Sequence, residues 1–419
     1  MGSRPQLLRP GLLSALTLAL FCFLTAPEPA SAAARLDVTY TEVDGTPVRV
    51  IVGPDGHVWI NNIYCCEFGH PGGPIRRLTD DGEQVFGLGD TYGIAAGPDR
   101  NLWFTDNHEN QIGFMALTPG YPVTRFPLPT QPNGDGLLPY DIVTGPDNNL
   151  WVTLSLSGEV AQVTTAGQIT RFPLRPEARQ PFPTEIAAGS NDSLWIGGEQ
   201  GKNGMLARMS TDGEVRVYNF AQEFPVIEDV IEGPSDRIWF SYLDGVGYLE
   251  ASGKPTLFSL PKFFDRYDPS LTGASTGLTV GPDGNLWIAI TGAAGTKSTN
   301  AMMRLTPGGR YTYFPLPFKP FINRGFELVT RPATKTIYFT QPEDGVVGRF
   351  RPPSGRCRVP RLVGAPAGRV AKRLKRANCS LGALDGPHGA HAEVVAQHPK
   401  AGRKLAALSH VYLKARRRH

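Results

Sequence analysis

The stretch Gly97-Pro98-Asp99-Arg100-Asn101-Leu102-Trp103 decides the fold, because close copies of it recur along most of the chain. All six tryptophans end such copies: Trp59, Trp103, Trp151, Trp195, Trp239 and Trp287. In a seventh copy, Tyr338 stands at the tryptophan position. The aromatic position returns every 44 to 51 residues, and a period near 45 with short strands is typical of a β-propeller blade. The sequence therefore predicts an all-β, seven-bladed propeller over residues 36–350.

The two ends of this region predict how the ring closes. The seventh repeat ends at Phe350 without a fourth strand, whereas residues 36–43 have the fourth-strand pattern and no blade before them. An N-terminal strand that completes blade seven would leave no open sheet edge. We expect each tryptophan to pack between neighbouring blades.

The N-terminus has the pattern of a secretory signal peptide over residues 1–32. Arg4 and Arg9 precede an apolar stretch at residues 11–24, and Ala30-Ser31-Ala32 offers a cleavage site. The apolar stretch is shorter than the roughly 20 residues that span a bilayer. We therefore expect an exported monomer, extracellular or associated with the cell wall, without a membrane span.

Charge divides the chain into two parts. Residues 357–419 carry 14 Lys and Arg against two acids, whereas the rest of the mature chain carries 26 basic and 35 acidic residues. The tail is therefore expected to attract polyanions in a salt-sensitive way. Nucleic acid is not expected as a partner of an exported protein.

The C-terminal region resembles a PASTA domain, a module of bacterial wall-binding proteins. The resemblance rests on the Val359-Pro360 opening that leads to Gly364, a helical run at residues 367–377 and the Gln397-to-Gly402 turn. Residues 351–356 are interpreted as a linker, 357–415 as this small α+β domain and 416–419 as a basic tail. The resemblance implies binding to peptidoglycan, and the charge adds attraction to an anionic wall polymer. The alternative is that the basic residues only keep a small domain soluble.

Two cysteines fall at the start of this domain and after its helix. Exported proteins keep disulfides, and closing a loop of this size contributes roughly 3 kcal/mol. We predict a Cys357–Cys379 bridge. Adjacent Cys65 and Cys66, close to His70, remain open between a vicinal disulfide, a stiffened loop and a bond between molecules.

The propeller sequence resembles the streptogramin lyase (virginiamycin B lyase) family. The phrases YGIAAGPDRNLWFTDN at residues 92–107 and GLTVGPDGNLWIAI at residues 277–290 carry the likeness. It implies opening of a cyclic depsipeptide by elimination, assisted by magnesium, through a Tyr on blade one, a His on blade six, and a His and a Glu on blade seven. Those positions fall here on a set with no match: Val48, Thr276, Glu327 and Gln341.

An elimination needs a base that is active near neutral pH, which histidine supplies with little adjustment. The chain has no histidine between His108 and His388. Glu327 serves as a base only if burial raises its pKa. The binding hypothesis is therefore favoured over the lyase and over a metal-dependent hydrolase of the sugar-lactone type.

Other polar residues are predicted to face the channel mouth, either 11 residues before or three after each blade aromatic. The candidates for binding a small molecule, peptide or protein are Tyr92, Tyr140, Glu228, Tyr242, Asp106 and Asn62. Oxygen ligands suit Mg²⁺ or Ca²⁺, so Glu327 and Asn62, on adjacent blades, form a candidate metal site. The alternative is a solvated funnel without a ligand.

Overall fold

The computed structural model describes most of the chain beyond the N-terminal segment. The described ranges are 36–63, 73–79, 81–174, 181–220, 226–243, 245–250, 252–259, 272–294, 297–316, 327–387 and 391–417. The predicted signal peptide, Cys65, Cys66 and His70 lie outside these ranges. Within them, no helix has the length and apolar composition that a membrane span requires.

Seven antiparallel four-stranded sheets confirm the predicted propeller. Blade one contains β2 (Thr46–Val52), β3 (Val58–Ile63), β4 (Ile75–Thr79) and β5 (Gly82–Phe86). Blade two contains β6 (Thr91–Ala96), β7 (Leu102–Asp106), β8 (Gln111–Met115) and β9 (Val123–Pro127). Blade three contains β10 (Pro139–Thr144), β11 (Leu150–Leu154), β12 (Glu159–Val163) and β13 (Ile169–Pro173). Blade four contains β14 (Phe182–Gly189), β15 (Ser193–Gln200), β16 (Asn203–Ser210) and β17 (Val215–Asn219). Blade five contains β18 (Ile227–Gly233), β19 (Arg237–Tyr242), β20 (Gly245–Leu249) and β21 (Pro255–Ser259). Blade six contains β22 (Thr272–Val280), β23 (Leu286–Ala294), β24 (Lys297–Leu305) and β25 (Tyr311–Pro315).

The seventh blade joins the two ends of the propeller region. It contains β26 (Leu328–Arg331), β27 (Thr336–Gln341), β28 (Val346–Phe350) and, as its outer strand, β1 (Val38–Glu42). Val38 lies opposite Phe350 and Glu42 opposite Val346. The predicted closure by the N-terminal strand is confirmed.

Each blade aromatic packs against the following blade, as predicted. Trp103 of blade two shares a buried cluster with Val152 and Ala161 of blade three, and Trp287 of blade six with Phe339 of blade seven. Tyr338 of blade seven packs with Val50 and Ile60 of blade one. The aromatic repeat therefore supplies the joints between blades all the way around the ring.

The Gly-Pro-Asp turn fixes the orientation of the indole. Asp99 Oδ1 accepts hydrogen bonds from Trp103 Nε1 at 3.0 Å and from the Asn101 amide at 3.1 Å. A Cβ on Gly97 would lie 2.3 Å from Trp103 Cδ1, so only glycine leaves room for the ring. These contacts explain why glycine, aspartate and tryptophan recur together.

A small C-terminal domain follows the propeller. Its elements are β29 (Arg356–Arg358), α1 (Val370–Arg376), β30 (Ser380–Asp385), β31 (Ala392–His398), β32 (Lys404–Ala406) and β33 (His410–Arg417). The strands form a three-stranded mixed sheet, β30-β33-β31, and a two-stranded ribbon, β29-β32. Short 3-10 turns lie at Pro332–Thr334, Pro342–Asp344 and Ala367–Arg369.

Side-chain contacts tie the domain together and to the propeller. The predicted Cys357–Cys379 disulfide is present. The Gln397 side chain accepts a hydrogen bond from the Leu362 amide at 2.7 Å and donates one to the Pro360 carbonyl at 3.0 Å. Leu408 packs against the Trp287 cluster of blade six.

Candidate functional site

A β-bulge near the start of most inner strands shapes the channel. The register with the second strand shifts between Pro47 and Arg49 in blade one, and similar shifts occur in blades two to six. A bulge places two residues opposite one, so it disturbs the strict alternation of a strand and re-aims side chains. Two consecutive residues of each bulged strand, 11 and 10 positions before the blade aromatic, therefore bear on the channel.

Side chains of the second strand satisfy the amides that the bulge leaves unpaired. Thr105 Oγ1 accepts a hydrogen bond from the Gly93 amide at 2.7 Å and donates one to the Tyr140 carbonyl of the next blade at 2.8 Å. Asn61 plays the same part in blade one, accepting from the Arg49 amide at 2.8 Å. One polar side chain thus supports the bulge and links two blades.

Arg49 of blade one crosses the channel. Its Nη1 and Nη2 bond both carboxylate oxygens of Glu185, on blade four, at 2.8 and 2.9 Å. Nη1 also lies 2.6 Å from Glu327 Oε1, on blade seven, and Nη2 lies 3.8 Å from Asp141 Oδ1, on blade three. The Arg49 side chain is 10% exposed. A single guanidinium therefore ties together four of the seven blades at the axis.

The carboxylates of this cluster outnumber its cation. Burial raises the pKa of Glu185 well above its usual value, despite the opposing charge of Arg49. Burial likewise raises the pKa of Glu327, and burial followed by the charge of Glu327 raises the pKa of Asp229. For Arg49, the neighbouring carboxylates outweigh burial and raise its pKa well above its usual value. The arginine therefore stays charged, whereas burial makes its carboxyl partners easier to protonate than ordinary carboxyl groups.

Two of the acidic side chains also bridge neighbouring blades. Asp141 accepts a hydrogen bond from the Ile186 amide at 3.0 Å, and Asp229 accepts one from the Leu278 amide at 2.6 Å. In each pair, the amide lies just after the bulge of the following blade. These two aspartates therefore serve the architecture of the channel as well as its charge.

Tyr92 and Tyr140 form a pair beside Arg49. Their hydroxyls are hydrogen-bonded, and their rings lie 4.1 Å apart. The Arg49 guanidinium lies 5.9 Å from the centre of the Tyr92 ring. Burial, with the neighbouring charges, raises the pKa of Tyr140 far above its usual value. The structure thus brings these two predicted candidates together as neutral hydrogen-bonding groups.

The other four predicted binding residues have contacts of their own. Glu228 is exposed by its surface area, but protein atoms around its carboxyl group partly desolvate it, and this desolvation, followed by the charge of Glu199, raises its pKa. Tyr242 is 4% exposed and belongs to a hydrophobic cluster between blades four and five. Asp106 is buried and accepts hydrogen bonds from Glu109 and Gln111, and Asn62 is buried with its amide donating to the Asp44 carbonyl.

The residues at the four family positions do not fit a magnesium ion. Glu327 is paired with the fixed cation of Arg49, Gln341 donates to Asp344, and neither Val48 nor Thr276 carries a charge. In the part of the chain that the structure describes, no three His, Cys, Asp or Glu side chains are grouped so as to hold a metal. The proposed pairing of Glu327 with Asn62 at a metal stays a prediction that nothing here tests.

Sequence reasoning missed the position that supplies most of the charge. Ten residues before the blade aromatic stand Arg49, Asp141, Glu185 and Asp229. The signal was present, because a charged residue recurs at this position in four of the seven inner strands. Regular alternation predicts that only the preceding position faces the channel.

Comparison with known proteins agrees with this architecture. Residues 34–269 match the model of the virginiamycin B lyase family. A catalytically inactive virginiamycin B lyase from Staphylococcus aureus, solved with quinupristin, is 21% identical with a TM-score of 0.59, covering 75% of this chain and 99% of that one.

Two further solved structures share the fold. A streptogramin B lyase is 19% identical with a TM-score of 0.58, over 74% of this chain and 97% of that one. Hydrazine synthase from Kuenenia stuttgartiensis is 15% identical with a TM-score of 0.55, over 75% and 97%. No curated protein matches the chain.

Proposed function

Because this chain belongs to the virginiamycin B lyase family, we propose that it keeps the family's propeller as a binding scaffold without the family's catalysis. The propeller binds a polar small molecule, peptide or protein at the channel mouth. The single observation that carries this proposal is Arg49, which spans the channel and engages Glu327 at the family's blade-seven position.

The ion pairs that join Arg49 to Glu185 and Glu327 across the channel, here called the brace, argue against catalysis for a chemical reason. A general base must take up a proton from its substrate, and pairing with a guanidinium opposes this because it lowers the pKa of the carboxylate. Glu185 uses both oxygens on Arg49, and Glu327 uses one. Freeing either would leave a charge in a buried site, which costs several kcal/mol.

Charge and hydrogen bonding favour one class of ligand. Tyr92 and Tyr140 offer hydroxyls, Glu228 offers an exposed carboxylate, and the cluster around Arg49 has more acids than bases. A ligand with an amine or another cationic group would complement this mouth.

Quinupristin tests the absence of catalysis directly. The full-length protein would be incubated with quinupristin, and ring opening followed by mass spectrometry, with a catalytically active virginiamycin B lyase as a positive control. We expect the antibiotic to remain cyclic in the presence of this protein. Linear product at catalytic rates would overturn the proposal.

A lyase remains the second candidate, because burial raises the pKa of Glu327 and so brings it closer to the value of a useful base. If linear product appears, Glu327→Gln should abolish it, since glutamine cannot accept the proton. An active Glu327→Gln variant would show that another residue serves as the base.

The C-terminal domain is proposed to hold an exported protein at the cell wall. Support comes from its 14 basic residues, its disulfide and the Gln397 contacts that join the two motifs of the PASTA-like pattern. The full-length protein should sediment with purified peptidoglycan, and salt should weaken any attraction to anionic polymer. A protein that stays in the supernatant at low salt would contradict this attachment.

A further inference from the structure

A cleft separates blade six from the C-terminal domain on one side of their contact. Its volume is about 760 Å³, large enough for a sugar or a short oligomer. Residues of β24 and β25 and their connecting turn form one wall, and residues of β29, β32 and β33 form part of the other. Both parts of the protein are therefore needed to build it.

Cations dominate the lining. Among the described lining residues, four are Arg or Lys (Arg304, Arg310, Arg356 and Lys404), two are histidines (His398 and His410), and one, Asp283, carries a carboxylate. Arg310, Arg356 and Lys404 are exposed, so their charged groups are accessible to a ligand. An excess of positive charge in a concave surface attracts anions, because the surrounding protein focuses the field.

Arg304 adds a buried charge that the protein compensates poorly. Its side chain is 1% exposed, and its nearest carboxylate oxygen, on Asp283, lies 3.8 Å away. Within the described residues, Nε and Nη1 have no hydrogen-bond acceptor, while Nη2 donates to Thr312 and to the Ala407 carbonyl across the domain contact. The rings of Trp287 and Phe314, 5.8 and 5.6 Å away, give the guanidinium only cation–π contacts. Burial lowers the pKa of Arg304 against the opposing effect of Asp283. An anion in the cleft would supply the missing compensation through the field.

The cleft also carries flat and polar surfaces suited to a sugar. Tyr311, which is 38% exposed, and Tyr412 lie among the lining residues, together with the hydroxyl-bearing Ser409 and Thr306. Aromatic rings give a sugar an apolar face to stack on, and hydroxyls and charged groups give it hydrogen-bond partners.

We propose that this cleft binds an anionic carbohydrate, a sugar or polyol that carries a phosphate or a carboxylate. The site is independent of the channel and deepens the proposed wall attachment by naming the surface that recognises the anion. Phosphate and carboxylate share the chemistry that pairs with arginine and lysine, so separate probes distinguish them.

Titration calorimetry on the full-length protein tests the site with glucose 6-phosphate, glucuronate and neutral glucose. We expect at least one charged sugar to bind at least about tenfold more tightly than glucose, since charge-assisted hydrogen bonds are stronger than neutral ones. Binding of glucose 6-phosphate alone would assign a phosphate, and binding of glucuronate alone a carboxylate. Equal affinity for all three, or no binding, would overturn the proposal.

A matched pair of variants locates the binding. Arg310→Gln/Lys404→Gln removes two exposed cleft cations and should weaken charged-sugar binding about tenfold. Lys372→Gln/Arg376→Gln removes the same charge from the exposed face of α1, outside the cleft, and should leave affinity unchanged. Tyr311→Ala should also weaken binding, through lost stacking rather than lost charge. If both double variants bind as the natural chain does, the cleft is not the site.

These outcomes separate the cleft from the wall proposal. If Arg310→Gln/Lys404→Gln loses the sugar but sediments normally with peptidoglycan, the cleft assignment stands and attachment uses another surface. If charged sugars bind in the cleft but the protein never sediments with peptidoglycan, the wall proposal alone fails.

Discussion

The joints between blades and the axis of the channel are both buried, yet they are built by opposite rules. Every joint repeats one solution, an aromatic ring on the next blade's core. At the axis, by contrast, the blades contribute different residues at one position: an arginine, two glycines, two aspartates, a glutamate and a leucine. Repetition therefore encodes the fold, whereas departures from the repeat mark what is particular to this protein.

The pairing of β1 with β28 at the outer edge of blade seven should have the largest effect on stability, and it tests whether the fold depends on closure of the ring. Deleting residues 36–44 removes β1 and exposes the edge of β28, together with the cluster that Val38 and Tyr40 cover. We expect the cooperative thermal transition of the propeller to be lost. Removing residues 1–35 alone is the control and should leave the transition in place. A truncated protein that melts like the intact one would contradict the closure.

The charged axis should be nearly as sensitive to one substitution. Arg49→Met leaves the carboxylates of Glu185 and Glu327 buried without their cation, which should lower the free energy of unfolding by about 3–5 kcal/mol. Arg171→Met is the matched control, because Arg171 pairs with Glu159 at the surface and should matter by less than about 1 kcal/mol. Urea denaturation of both variants measures the contrast. Equal losses would remove the distinction between axis and surface.

A joint between blades can be destabilised without substituting its tryptophan. Gly97→Ala puts a methyl group against Trp103 and should cost about 1–3 kcal/mol, because the indole or the turn must shift. Gly87→Ala meets no atom within 4 Å and should change stability by no more than about 0.5 kcal/mol. Similar melting of the two variants would mean that the turn does not hold the ring as tightly as its contacts indicate.

The smallest effect is expected in the pH dependence of stability. It distinguishes the channel from the joints because the pKa of Asp229, in the channel, is raised, whereas that of Asp147, in a turn at a joint, is lowered. Because the folded pKa of Asp229 is raised, the native state holds a proton that the unfolded state releases near pH 4. This contribution stabilises the protein at low pH and is lost as the pH rises through the raised value. Asp229→Asn should remove it, so the variant should gain stability relative to the natural chain as the pH increases from 4 to 8. A constant difference between the two would rule out the raised pKa.

The Gly-Pro-Asp turn of blade three makes a contribution of the opposite sign. Burial would raise the pKa of Asp147, but its hydrogen bonds, first that from Trp151, outweigh burial and lower it. That contribution is present at neutral pH and is lost as the pH falls. In a plot of stability against pH, the loss at low pH therefore reports on the turn at Asp147, and the loss as the pH rises above 4 reports on Asp229 in the channel.

The fold was predictable from sequence because its determinants repeat. Trp59, Trp103 and their counterparts mark the blades, and the unpaired pattern at residues 36–43 predicts the strand that seals the ring. Each of these signals is local, and each recurs often enough to be read without an alignment.

The channel was only partly predictable, because a bulge breaks the alternation on which the prediction relied. Glu327 is among the residues that the sequence predicts at the channel. Arg49 and Glu185 lie one residue after the position, 11 before the blade aromatic, that regular alternation predicts to face the axis. Tyr242 was expected at the mouth, whereas its ring lies in a hydrophobic cluster. Pairing across the axis joins residues 136 positions apart in the chain, and no local pattern reports such a contact.

A double-mutant cycle between Arg49 and Glu185 tests the central claim most directly. Unfolding free energies would be measured for the natural chain, Arg49→Met, Glu185→Gln and the double variant. The direct pairing across the channel predicts a coupling energy of about 1–3 kcal/mol. Additive effects within about 0.5 kcal/mol, as for residues that do not touch, would contradict the brace across the axis.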